Sequence, residues 1–273
     1  MTDLYAVIGN PISHSKSPLI HKGFAEATGQ DLDYIAIEGP FGRFAETVDA
    51  WRDKGLRGLN ITVPFKMDAY RYATRRDAAA REAGAVNCLT FDGAEAEGAN
   101  YDGIGLARDI EANLATPVAG RTVLVLGTGG ATRGALGPLL ARGPARLTVA
   151  FRTPGKEAEL RALFPEARAL DFLAYADLGG EAYDLVLNAT SATLSGEAPP
   201  VPLKAFARGA LAYDLAYGKG LTPFLRLARA AGVTRCVDGV GMLVEQAAEA
   251  FARWRGVRPE TKTMIEKITV PLV

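Results

Sequence analysis

Amide, hydroxyl and ammonium groups follow the third predicted strand of the chain, where they could bind and protonate a small oxygen-rich ligand. Asn60 and Thr62 are two residues apart at the end of that strand, so their side chains are expected on one face. Lys66 follows shortly after them. An ammonium group there could stabilise a developing alkoxide and deliver a proton to it. Because lysines are mostly exposed, a surface lysine after a turn is the alternative on these residues alone.

Two serines precede the first predicted helix. Ser15 and Ser17 lie between the strand that ends at Gly9 and Pro18, which is typical of the first helical position. Hydroxyls and free backbone N–H groups at a helix N-terminus suit a carboxylate. The alternative is that Ser17 simply caps the helix, since serine is a preferred N-cap residue. We expect Ser17 at the N-cap position.

A glycine-rich turn follows the apolar strand predicted at Thr122–Leu126. Its residues are Gly127, Thr128, Gly129, Gly130, Ala131 and Thr132. A strand, a tight turn and a helix in this order bring backbone N–H groups to a pyrophosphate, as in dinucleotide-binding folds. Thr132 stands where a strict G-x-G-x-x-G motif has its third glycine, so an ordinary turn between strand and helix is the alternative.

The end of the next predicted strand indicates which nucleotide binds. An NAD site requires an acidic residue there for the ribose 2′-hydroxyl. This chain instead has Phe151, Arg152, Thr153 and, slightly further on, Lys156. The forked guanidinium of Arg152 suits a 2′-phosphate, and Lys156 adds a positive charge. The pattern predicts NADP, with a solvated basic turn as the alternative.

The order of elements predicts an α/β fold with two domains. Strands alternate with helices in two series, which favours mostly parallel sheets with helices on their faces. We predict an α/β substrate-binding domain over residues 1–101 and a doubly wound, Rossmann-type NADP domain over residues 102–237. Two helices over residues 238–273 are expected to return to the first domain.

The composition excludes several classes of protein. Among 273 residues, 31 basic and 31 acidic side chains give a net charge of zero, which disfavours a sequence-independent nucleic-acid binder. Two distant cysteines, Cys88 and Cys236, exclude a disulfide scaffold and a thiolate zinc site. With only His14 and His21 we expect no metal site, and we interpret both as structural residues. No signal peptide or membrane span is evident, so we expect a cytoplasmic protein.

Seven ordered motifs together resemble the shikimate dehydrogenase family over nearly the whole chain. They are Gly9–Pro18, Asn60–Lys66, Gly84–Asn87, Asn100–Gly105, Gly127–Ala131, Asn188–Ser191 and Asp238–Gln246. The resemblance implies the NADP-dependent, reversible reduction of 3-dehydroshikimate to shikimate, on the route to chorismate and the aromatic amino acids. The cofactor supplies the hydride, and the protein supplies position and charge.

The resemblance also implies roles for residues at matching positions. Lys66 and Asp102 would form the catalytic acid-base pair. The substrate would be bound through its carboxylate by Ser15 and Ser17, and through its hydroxyls by Asn60, Thr62, Asn87, Asp102 and Gln246, with Tyr217 nearby. NADP would contact Gly127, Thr128, Gly129, Gly130, Ala131, Phe151, Arg152, Thr153, Lys156, Leu215 and Gly239.

Two positions depart from the family's pattern. Tyr101 replaces a threonine beside the substrate, and Phe151 replaces an asparagine before the arginine of the NADP site. A quinate/shikimate dehydrogenase with relaxed use of NAD and NADP therefore remains the alternative enzyme. A non-catalytic NADP-binding regulator is the alternative from another class, against which the presence of both Lys66 and Asp102 argues. The sequence leaves monomer and homodimer open.

Overall fold

The computed structural model describes residues 2–218 and 220–273, apart from the side chain of Leu194. The chain divides into two compact units. The first contains Met1–Gly105 and Leu243–Lys267, and the second contains Leu106–Met242 and Ile268–Val273. The predicted boundaries at 101/102 and 237/238 therefore lie slightly too early, because the divisions fall inside helices rather than at their starts. Residues 268–273 belong to the second unit, not to the first as predicted.

The first unit is built on a six-stranded mixed sheet in the order β2-β1-β3-β5-β6-β4. Its strands are β1 (Asp3–Gly9), β2 (Leu32–Glu38), β3 (Leu56–Ile61), β4 (Arg75–Arg76), β5 (Cys88–Asp92) and β6 (Glu95–Ala99). Its helices are α1 (Ser17–Thr28), α2 (Phe44–Arg52), α3 (Lys66–Tyr72) and α4 (Ala78–Ala83). Strand β1 is parallel to β2 and β3, whereas β5 is antiparallel to both of its neighbours.

The second unit is built on a six-stranded parallel sheet in the order β12-β11-β10-β7-β8-β9. Its strands are β7 (Thr122–Leu126), β8 (Arg146–Phe151), β9 (Leu170–Ala174), β10 (Tyr183–Asn188), β11 (Phe206–Asp214) and β12 (Arg235–Asp238). Its helices are α6 (Gly130–Leu140), α7 (Lys156–Leu163) and α8 (Pro223–Ala230). This strand order is that of dinucleotide-binding domains, which place the ligand where the order reverses, beside the first strand.

Three helices contain or adjoin the divisions between the units. Helix α5 (Asp102–Arg108) widens into one π-helical turn at Asp109–Asn113, α9 spans Val240–Arg255, and α10 spans Lys262–Ile268. Most of α9 packs in the first unit, as predicted for the tail. There the indole of Trp254 occupies the space that a Cβ at Gly58 would need.

Each sheet has its own apolar core. Side chains on the two faces of the second sheet form two buried clusters, one around Val123 and Val125 and the other around Leu124 and Leu126. Alternate residues of β7 thus enter opposite cores, as expected of a central parallel strand that is apolar throughout. Across the part of the chain that the structure describes, no helix is both long and apolar enough to cross a membrane.

Candidate active site

Lys66 and Asp102 form an ion pair in the first unit. Lys66 is the first residue of α3, and Asp102 is the first residue of α5. The Nζ of Lys66 donates a hydrogen bond to Oδ2 of Asp102 over 2.6 Å. Their side chains are 30% and 19% exposed, so a ligand could reach the pair although it is largely shielded from water. The structure brings the two predicted catalytic residues into direct contact.

Asn87 and Gln246 extend this pair into a cluster. The Nδ2 of Asn87 donates to Oδ1 of Asp102 over 2.8 Å and to Oε1 of Gln246 over 3.4 Å. The backbone N–H of Tyr101 donates to Oδ1 of Asn87 over 2.9 Å. This last bond fixes which end of the Asn87 amide faces the carboxylate. Each oxygen of Asp102 therefore has a donor, Lys66 on one and Asn87 on the other.

Asn60 and Thr62 lie at the carboxyl end of β3. Asn60 is buried, and its Oδ1 accepts a hydrogen bond of 2.7 Å from the hydroxyl of Tyr34. Its Nδ2 donates to the backbone oxygen of Asn87 over 3.4 Å. The half-buried Thr62 lies directly after β3, and its methyl group occupies the space that a Cβ at Gly9 would need. Asn60 thus joins the cluster, while Thr62 borders the turn after β1.

The predicted N-cap at Ser17 is wrong. Helix α1 begins with Ser17 itself, and the preceding Lys16 makes no capping hydrogen bond with its side chain. The N–H group at the start of the helix is bound by Ser15 instead, because the backbone N–H of Ser17 donates to Oγ of Ser15 over 3.3 Å. Ser17 is itself buried.

His21 is fully buried, one helical turn after Ser17. Neither of its ring nitrogens has a hydrogen bond of good geometry, and its ring stacks on Tyr34 with centroids 4.1 Å apart and planes at 6°. Burial lowers the pKa of His21 from 6.5 to about 3, against an opposing effect of the nearby Asn60 amide. The ring is therefore neutral at physiological pH, which agrees with its interpretation as a structural residue.

Tyr101, one of the two departures from the family's pattern, packs into the core with its ring. It lies against an apolar cluster of Cys88, Ala99, Ala250 and Trp254. Burial raises the pKa of its phenol above the ordinary value. Its contribution to the Lys66–Asp102 cluster is made by the backbone N–H that orients Asn87.

The glycine-rich turn of the second unit joins β7 to α6. Gly127 has φ +99°, a conformation that favours glycine. A Cβ at Gly129 or Gly130 would meet no protein atom within 4 Å, so packing within the protein does not require these glycines. Glycines at the start of α6 leave room for a ligand to approach the backbone N–H groups. The buried Thr132 donates to the Gly127 carbonyl over 2.8 Å, which explains how this departure from the motif is accommodated.

Arg152 and its neighbours follow β8, beside this turn. Phe151 ends the strand and is partly buried, whereas Arg152, Thr153 and Lys156 are exposed. Gly127 donates its N–H to the Ala150 carbonyl, which joins the glycine turn to the end of β8. The residues present therefore fit a dinucleotide that carries an additional phosphate, as the basic side chains predicted.

Leu215 and Tyr217 lie in the loop after β11, and Gly239 directly follows β12. A Cβ at Gly239 would overlap the carbonyl oxygen of Leu215, so glycine is required for the close approach of the two segments. Tyr217 is 41% exposed and belongs to the second unit.

Sequence reasoning assigned no role to three polar residues that support these sites. Oδ1 of Asn100 accepts the N–H of Asp102 over 3.1 Å, a turn that the spacing of the two residues could have indicated. Asp214, buried at the end of β11, accepts from Asn188, Thr193 and Thr222 and so holds the loops on either side. The sequence around Tyr34 does not indicate a role in the site, since a single aromatic residue is common in a strand.

Comparison with known proteins establishes the family. A family model described as the shikimate dehydrogenase substrate binding domain matches residues 7–89, and one described as the shikimate 5′-dehydrogenase C-terminal domain matches residues 239–269. A protein of Nitrosospira multiformis named shikimate dehydrogenase (NADP(+)) is 52% identical over 97% of this chain and 96% of its own length. The chain belongs to the shikimate dehydrogenase family.

Solved structures agree with this assignment. An Ael1 enzyme from Pseudomonas putida is 52% identical, with a TM-score of 0.97 over 100% of both chains. Shikimate 5-dehydrogenase from Thermus thermophilus, in complex with NADP(H) and shikimate, is 30% identical, with a TM-score of 0.86 over 97% of this chain and 98% of that one. The predicted two-domain α/β fold class, the enzyme class and the NADP cofactor are confirmed.

Proposed function

We propose that the chain catalyses the reversible reduction of 3-dehydroshikimate to shikimate with Lys66 as the group that moves the proton. The observation that carries this proposal is the Lys66–Asp102 ion pair of 2.6 Å, set among amide groups that suit a hydroxylated ring. When bound, NADPH supplies a hydride to C3 of the substrate. Lys66 Nζ then gives a proton to the carbonyl oxygen, and the neutral amine regains a proton from water; oxidation of shikimate reverses these steps.

Asp102 orients the ammonium group and is held in turn by Asn87. Because its two oxygens are occupied by two different donors, the carboxylate is fixed in one orientation. The positive charge of Lys66 would then stabilise the negative charge that grows on the substrate oxygen. Asn60, Thr62, Asn87 and Gln246 would bind ring hydroxyls, and Ser15 and Ser17 the carboxylate.

The second unit would bind NADP. Residues Gly127 to Ala131 would receive the pyrophosphate, and Leu215 and Gly239 would line the nicotinamide. Arg152, with Thr153 and Lys156, would hold the 2′-phosphate, and Phe151 would contact the adenosine ribose. On this assignment the first unit is the substrate domain, and the enzyme acts in the cytoplasm in aromatic amino acid biosynthesis.

A spectrophotometric assay tests the function. Shikimate and quinate are each offered with NADP and with NAD, and reduction of the cofactor is followed at increasing substrate concentration. We expect the highest kcat/KM for shikimate with NADP. No turnover in any combination would support the non-catalytic alternative.

The second candidate is a quinate/shikimate dehydrogenase that uses both cofactors. The observation in its favour is Phe151, which offers a ring where the family's pattern has a side-chain amide. Comparable kcat/KM values for quinate, or for NAD, would establish this alternative in the same assay.

A further inference from the structure

Four polar side chains, three of them buried and one half-buried, meet in the first unit next to the proposed substrate site. They are Ser17, His21, Tyr34 and Asn60. Ser17, His21 and Asn60 are 7%, 0% and 5% exposed. Polar groups are costly to bury, so such a cluster calls for a physical explanation.

The hydroxyl of Tyr34 determines the orientation of the Asn60 amide. A phenol donates one proton, and Tyr34 directs it to Oδ1 of Asn60 over 2.7 Å. The other end of the amide, Nδ2, faces the backbone oxygen of Asn87. Only Nδ2 can donate to a ligand oxygen, so the bond from Tyr34 selects the orientation that presents a donor to a hydroxyl of the substrate.

His21 holds the ring of Tyr34 in place. The imidazole lies parallel to the phenol at 4.1 Å, and Trp254 lies 5.4 Å from the imidazole at a tilt of 34°. A neutral ring without hydrogen bonds of good geometry acts here as a flat packing surface. Such a stack restricts rotation of Tyr34 and keeps its hydroxyl directed at Asn60.

We propose that Tyr34 is a positioning residue for substrate binding, which fixes the amide of Asn60 through its hydroxyl while His21 supports its ring. The inference rests on the proposed function, because it takes Asn60 to bind a hydroxyl of shikimate. Tyr34 acts through Asn60 and takes no part in proton transfer.

The substitution Tyr34→Phe removes the hydroxyl and keeps the stacked ring. We expect the KM for shikimate to rise about tenfold, the effect of one partly buried hydrogen bond, while kcat changes less than about threefold. The KM for NADP is expected to stay unchanged. Tyr5→Phe is the matched control. Tyr5 is buried in this unit and stacks on Trp254 with ring centroids 4.8 Å apart, but it belongs to no proposed site. The KM of Tyr5→Phe for shikimate should equal that of the wild type.

A double-mutant cycle separates positioning from a general structural effect. Asn60→Ala alone is expected to raise the KM for shikimate. If Tyr34 acts through Asn60, adding Tyr34→Phe in that background raises the KM by less than about twofold. A full tenfold increase in both backgrounds would overturn the proposal.

Asn60→Asp provides an independent test. A carboxylate still accepts the proton of Tyr34 but presents no donor to the substrate, so shikimate binding should weaken at least about tenfold. Calorimetric titration of each folded variant with shikimate, without NADP, measures this Kd apart from turnover. Wild-type Kd values for Tyr34→Phe or Asn60→Asp would overturn the proposal. A wild-type enzyme that binds shikimate but does not oxidise it would overturn the proposed function alone.

Discussion

Lys66 is the residue on which the proposed chemistry depends most directly. Lys66→Ala removes the proton donor but leaves Asn60, Asn87 and Gln246 in place. We expect kcat to fall about 10²-fold or more with little change in KM. Initial rates of shikimate oxidation measure this, with Lys22→Ala, an exposed lysine on α1, as the control. Near-normal kcat in Lys66→Ala would exclude Lys66 from proton transfer.

His21 makes the stability of the protein depend on pH. The folded state binds a proton to this ring only near pH 3, whereas the unfolded state binds one near pH 6.5. The free energy of unfolding should therefore fall as the pH decreases below about 6.5, by up to about 1.4 kcal/mol per pH unit, and His21 should have no such effect above that pH.

The variant His21→Phe keeps an aromatic ring at this position and removes the titratable imidazole. Urea unfolding of wild type and variant at pH 7.5, 6 and 5 measures the difference. We expect the variant to lose less free energy of unfolding than the wild type between pH 6 and 5. Parallel losses in the two proteins would show that another group causes the decrease.

Arg152 is expected to discriminate between the two nicotinamide cofactors. Arg152→Ala should raise the KM for NADP about tenfold or more and leave the KM for NAD nearly unchanged, because only NADP carries the 2′-phosphate. Arg208→Ala, an exposed arginine of the same unit, is the control. Equal increases for NADP and NAD would contradict the role of Arg152.

At the scale of elements, Thr222 joins α8 to the end of β11. Its Oγ1 accepts from the N–H of Leu225 over 3.2 Å and donates to Oδ2 of the buried Asp214 over 2.6 Å. Loss of an N-cap and of a buried hydrogen bond costs about 2 kcal/mol. We expect this decrease in the free energy of unfolding for Thr222→Ala.

Urea unfolding measures the effect of Thr222→Ala. Thr47→Ala is the control, since the hydroxyl of Thr47 makes an exposed hydrogen bond to the carbonyl of Arg43, one turn earlier. The control should lie within about 0.5 kcal/mol of the wild type. A loss of similar size in both variants would contradict the role assigned to the Asp214 network.

The sequence predicts elements well where the pattern is local and apolar. Strand β7 has the predicted bounds, since every residue from Thr122 to Leu126 suits a buried strand. The hairpin of β5 and β6 was missed because Glu95, Glu97 and Gly98 have low strand propensity, although Asp92-Gly93 is a turn signal. Strand β9 and helix α8 were also missed.

Contacts between distant residues depend on tertiary structure. Asn87 and Gln246 are 159 positions apart, and only the family resemblance placed both at one site. The bond from Tyr34 to Asn60 joins neighbouring elements, but neither residue indicates the other in sequence. The family resemblance therefore grouped these residues in one predicted site, whereas the orientation of each amide required the structure.

At the scale of the whole molecule, the two units should respond to different ligands. NADP alone is expected to slow backbone amide exchange in residues 127–133, and shikimate alone in residues 60–66 and 87, because ligands protect the backbone they contact. Hydrogen–deuterium exchange with each ligand separately measures this. Protection of residues 127–133 by shikimate alone would contradict the assignment of the units.

The return of α9 to the first unit has a consequence for biosynthesis. Phe251 and Trp254 pack against His21, so the core around α1 requires side chains that are translated after the last strand of the second unit. The parallel sheet of the second unit is complete at Asp238. Domains that are translated first generally fold first. Here, however, all strands of the second unit are translated before α9, the helix that completes the core of the first unit. Residues 2–105 are therefore the part of the nascent chain whose core is completed last.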